Sequence, residues 1–101
     1  MGLVNQLEAG QADADLGGGV YKMRLARPGE GKSGGYRVIV FFKSEDRTFY
    51  QYAYSKSSRD NIDQMELRFY KKMAKAKLAM LDSEIANAVN AGELIEIQEA
   101  V

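Results

Sequence analysis

The chain has 101 residues, 14 basic and 14 acidic side chains, no cysteine, no histidine and one proline. That length fits one domain spanning residues 1–101, and 46% hydrophobic with 28% charged residues excludes a wholly disordered chain. Disulfides, thiolate metal sites and cysteine nucleophiles are excluded, and any proton chemistry falls to Lys, Arg, Tyr or carboxylates.

Residues 3–16 are predicted as a short helix with Leu3 and Leu7 on one face, weakened at Gly10 and stopped by Gly17-Gly18-Gly19. Residues 20–27 alternate: Val20, Lys22, Arg24 and Ala26 point one way, Tyr21, Met23, Leu25 and Arg27 the other. That is the pattern of a strand with one core face and one basic face, ended by Pro28. Residues 28–35 hold four glycines and Lys32; Gly31-Lys32-Ser33 lacks the upstream glycine of a Walker phosphate loop, so the segment is expected to connect a hairpin.

Residues 36–42 and 48–54 are β-branched and aromatic around the polar turn 43–47, and predict a second hairpin. Regular alternation puts Arg37 with Ile39 and Phe41, and Thr48, Tyr50, Tyr52 and Tyr54 together on another face. A helix is predicted over 59–81, capped by Asp60 or Asn61, with Ile62, Met65, Phe69, Met73, Ala76 and Met80 as the stripe that packs on the sheet. Asp82 and Ser83 are expected to cap a helix over 84–91 that Gly92 ends, and 93–97 reads as a last short strand. The expected fold is α+β: a three-strand antiparallel meander plus a short C-terminal strand, with helices on one face.

The zero net charge hides a segregation. All 14 Lys and Arg lie between Val20 and Leu81 against six acidic residues, a net +8, while residues 1–19 carry −3 and residues 82–101 carry −5. A basic middle with acidic ends suggests a body that binds a polyanion. No apolar run approaches the roughly 20 residues of a membrane span and no signal peptide is visible, so a cytoplasmic protein with no membrane contact is expected.

The segment GGGVYKMRLARPGEGKSGGYRVIVFF followed by YSKSSRDNI resembles the RelE/HigB toxins of bacterial type II toxin–antitoxin systems, over roughly residues 10–97. The order carries the likeness: a strand with alternating Lys/Arg, a Gly/Lys loop, Gly-Gly-x-Arg opening the next strand, then a Ser-Lys turn into a helix. The resemblance implies a ribosome-dependent mRNA interferase, an endoribonuclease neutralised by a HigA-like helix-turn-helix antitoxin; some relatives poison DNA gyrase instead. Cleavage of this type needs a group to take the 2′ proton, cations for the charge on phosphorus and a proton donor for the leaving oxygen. The family's catalytic positions map onto Lys22, Arg24, Arg37, Lys56 and Arg59, with Lys22 as base or charge stabiliser and Arg37 gripping the scissile phosphate. Arg27, Lys32 and Tyr54 are candidate RNA contacts, and neither metal nor cofactor is expected.

Two features depart from the family. Its aromatic acid near the start of the long helix has no match, the position falling near Asp63, and the N-terminus looks short by one helix. An inactive or decayed toxin-fold module that keeps antitoxin or nucleic-acid binding is therefore the alternative, and Arg37 paired structurally with a carboxylate such as Glu66 is the corresponding alternative for that residue.

Overall fold

Breaks at glycine and at polar turns cut the first half of the chain into hairpins. The computed structural model describes residues 2–27, 31–55 and 62–97. In order these form α1 (Leu3–Glu8), β1 (Ala14–Gly17), β2 (Val20–Arg27), β3 (Gly31–Lys43), β4 (Arg47–Ser55), α2 (Gln64–Leu78) and α3 (Asp82–Asn90). The strands make one antiparallel sheet in the order β1-β2-β3-β4, each beside its neighbour in sequence. The α+β class and the antiparallel meander are as expected, and β3 begins inside the glycine-rich segment, at Gly31.

The fourth strand is not the expected one. Residues 93–97 form no strand, and the sheet is completed by β1, inside the stretch predicted as helix 3–16. Gly10, at φ 71°, ends α1 early, and Ala14 and Asp15 then pair with Lys22 and Tyr21. Gly17, Gly18 and Gly19 all take positive φ in the β1–β2 turn, a conformation that costs glycine little and other residues more.

Helices cover both faces of the sheet rather than one. On the first face Val20, Ile39, Phe41 and Tyr54 pack with Tyr70 and Ala74 of α2. On the second, Met23, Val38, Val40 and Phe42 pack with Leu7 of α1. Phe41, Met23, Ile39, Val20 and Val40 are almost wholly buried, each contributing about 1.5–3 kcal/mol by transfer from water. The basic face of β2 is therefore not separate from the core, since Val20 lies on the same side as Lys22 and Arg24 and is fully buried under α2.

A bulge in β4 breaks the expected tyrosine row. Ile39 pairs with Tyr52, but Val40 pairs with Tyr50, leaving Gln51 as the extra residue. Tyr52 and Tyr54 thus lie on the α2 face, while Tyr50 crosses to the α1 face and Phe49 takes its place beneath α2.

Helix α2 also packs by a different stripe from the one expected. Its sheet-facing stripe is Leu67, Tyr70, Ala74 and Leu78, with Met73 at the margin. Met65 and Phe69, expected to pack inward, are 76% and 60% exposed. Ala74, with no exposed surface, lets the helix axis approach the sheet closely, and Tyr70 meets Phe41 edge-on at 6.3 Å. The expected caps Asp60 and Asn61 lie outside the described residues; within them Asp63 caps the helix, accepting from Glu66 N at 2.8 Å while Glu66 accepts from Asp63 N at 3.2 Å. At α3, Leu81 rather than Asp82 or Ser83 holds the N-cap position, its N–H donating to Glu84 at 2.7 Å, and Gly92 follows the helix at φ 78° as expected.

Candidate nucleic-acid site

Antiparallel register places side chains directly across from one another on the same face. Three such rows cross the α2 face. Val20, Phe41 and Phe49 form the driest row; Lys22, Ile39 and Tyr52 form the next; Arg24, Arg37 and Tyr54 form the third. The sequence-predicted Lys22, Arg24, Arg37 and Tyr54 are thus brought onto one corner of one face, two of the cations being cross-strand neighbours. Lys56 and Arg59 lie outside the described residues, as do the side chains of Arg27 and Lys32, whose backbones sit on β2 and β3.

The geometry differs from an open basic patch. Arg37 lies on the face that α2 covers and is only 5% exposed. Its Nη1 is buried and meets no hydrogen-bond partner among the described residues. The alternative pairing with Glu66 does not form, and one carboxylate oxygen of Glu66 is engaged by the Asp63 N–H. That buried donor is unsatisfied among the described residues, and Arg37 sits across the ladder from a second arginine, a pairing of like charges that an anion would relieve.

Arg24 is the more accessible partner, its side chain 47% exposed, and its Nε donates to Asp13 at 2.7 Å. Sequence reasoning missed Asp13: the signal was the acidic N-terminal stretch, but only the unforeseen β1 carries that stretch alongside β2. Tyr54 is buried and stacks with Tyr52 at 5.9 Å and 27°, so the ring presented to solvent is that of Tyr52, 43% exposed.

Other cations have structural duties. Arg47, 12% exposed in its side chain, donates to the Met80 and Lys77 carbonyls at the end of α2 and to Asp82 at 3.1 Å and Asp46 at 3.0 Å. The Arg47 guanidinium beside Asp46, with Lys43 nearby, holds the Asp46 carboxyl below its ordinary value. Lys77 donates to Gln51 at 2.9 Å and lies over the Phe49 and Phe41 rings. A broad groove elsewhere, between β4, α3 and residues 93–97, is lined by Arg47 and Lys77 but by none of Lys22, Arg24 or Arg37.

The family model described as the RelE toxin of the RelE / RelB toxin–antitoxin system matches residues 2–97. The chain belongs to this family. It is accordingly a toxin of a toxin–antitoxin system, and its family implies an antitoxin partner. No curated protein and no solved structure matches the toxin. Among its described residues no helix is long and apolar enough to cross a membrane.

Proposed function

We propose that this RelE-family toxin is an mRNA interferase that acts on the ribosome in the cytoplasm, using Lys and Arg chemistry without histidine or metal. One observation supports this above the others: the buried Arg37 Nη1, without a hydrogen-bond partner among the described residues, next to Arg24 and one row from Lys22. Two fixed cations with a vacant donor suit a phosphate, whose charge grows as the 2′-oxygen attacks phosphorus. In this reading Arg37 holds the scissile phosphate, with Arg24 beside it. Lys22 takes the 2′ proton or stabilises the developing charge. The P–O5′ bond breaks, leaving a cyclic phosphate, and the departing 5′-oxygen takes a proton from an Arg or Tyr to become the 5′-hydroxyl. Lys56 and Arg59 complete the cationic set, Arg27 and Lys32 contact RNA, Tyr54 backs the exposed Tyr52 ring, and the partner is a HigA-like helix-turn-helix antitoxin.

The test is to add the toxin to translating ribosomes and map mRNA ends. Cleavage with 5′-hydroxyl products is expected, reduced roughly 10²–10³-fold in Arg37→Ala, the usual loss when one preorganised charge stabiliser is removed. Intact mRNA together with DNA-damage signalling on induction would identify a gyrase poison instead. A second reading, an inactive module that keeps antitoxin or nucleic-acid binding, is favoured by the Arg24–Asp13 bridge, which already neutralises half of the arginine pair. Harmless overexpression without the antitoxin would select it.

A further inference from the structure

The apolar stripe that α2 turns away from the sheet has no role in the fold or in the cationic corner. Met65 and Phe69 are one helical turn apart and exposed, and Ala76 continues the same line two turns further on. Along one side of it Arg68, Lys72 and Lys75 recur at the same spacing, all exposed. None of these three cations enters an ion pair among the described residues, whereas Arg24, Lys43 and Arg47 each do. Residues 64–78 carry five basic side chains against the single acid Glu66. The face is therefore an apolar ridge with a cationic flank, and its partner must offer an apolar stripe with carboxylates beside it.

We propose that the outward face of α2, centred on Met65 and Phe69 and flanked by Arg68, Lys72 and Lys75, is the docking surface for an acidic amphipathic helix of the antitoxin. The proposal rests on membership of a toxin–antitoxin family and not on the cleavage chemistry. A second copy of the chain fits poorly, because two such faces would bring their cationic rows together. RNA would use the cations but not the exposed thioether and phenyl groups, which are the side chains enriched at protein interfaces.

The experiment is a calorimetric titration of the full-length toxin with the antitoxin encoded beside its gene. Met65→Glu/Phe69→Glu should weaken binding at least 100-fold, and Lys72→Glu/Lys75→Glu roughly 10-fold with a flatter salt dependence. Both variants should keep the wild-type circular dichroism and melting midpoint, since the altered side chains are exposed, and should keep the wild-type growth effect when the antitoxin is absent. Unchanged antitoxin affinity in both variants overturns the proposal. So does a free toxin that is dimeric by light scattering and becomes monomeric in Met65→Glu/Phe69→Glu, or variants that lose ribosome binding while the antitoxin still binds. A failed cleavage assay for the wild-type toxin leaves the titration readable, so the two ideas fail separately.

Discussion

Arg37 and Arg47 lie on adjacent strands, toward opposite ends of the sheet, and both are largely withdrawn from water. Arg47 is fully employed: it closes the C-terminus of α2 and ties the β3–β4 turn to the start of α3 through Asp82. Arg37 has a buried donor with no acceptor among the described residues and another arginine across the ladder. The first arrangement stabilises the fold by satisfying carbonyls that every helix end leaves open. The second leaves a buried donor unsatisfied among the described residues, which costs stability until an acceptor reaches it.

Three substitutions sharpen that contrast. Arg47→Ala has the largest expected effect on stability, a loss of about 2 kcal/mol, because it removes the donor of the part-buried Lys77 and Met80 carbonyls at the end of α2, while the exposed Asp82 is hydrated instead. Urea unfolding should show this as a lower midpoint with an unchanged slope. Arg37→Met should move the other way, gaining about 1 kcal/mol as a buried cation with an unsatisfied donor gives way to an apolar chain of similar length. A midpoint in thermal melts that falls instead would mean Arg37 has a counter-charge in the free protein. The smallest effect is expected at Asp46, which Arg47 and Lys43 hold in its ionised form. A carboxyl whose folded pKa lies below its unfolded value adds stability above the unfolded value and loses it as pH falls through the folded one. Asp46→Asn should therefore lower stability slightly above pH 3.8 and flatten the stability–pH curve below it, as followed by acid titration of the circular dichroism signal.

The strands with strong local signals were legible in the sequence. β2 occupies the residues its alternation predicts, and the β3–β4 hairpin follows from its β-branched and aromatic runs. β1 was not, because Ala14, Asp15, Leu16 and Gly17 contain no β-branched or aromatic residue and become a strand only by pairing with β2. The displaced tyrosines were hidden by one extra residue, Gln51, since a period-two count cannot register a bulge. In α2 two stripes compete at helical spacing. The more hydrophobic one, through Met65 and Phe69, is what a pattern favours, but the sheet takes the one with the smallest residue at its centre, Ala74. Of the site, the shared face of Lys22 and Arg24 could be read from alternation, and the register that adds Arg37 and Tyr54 to it could not. The burial of Arg37 and the Asp13 counter-ion could not, because both depend on how helix and edge strand dock.

The meander has a kinetic corollary. With each strand beside its sequence neighbour and no crossover, the sheet is assembled from local hairpins, each closing a short loop. Chains built this way fold faster than sandwiches of equal size, whose pairings span long separations. For a toxin, faster folding shortens the interval between release from the ribosome and the appearance of the assembled sheet.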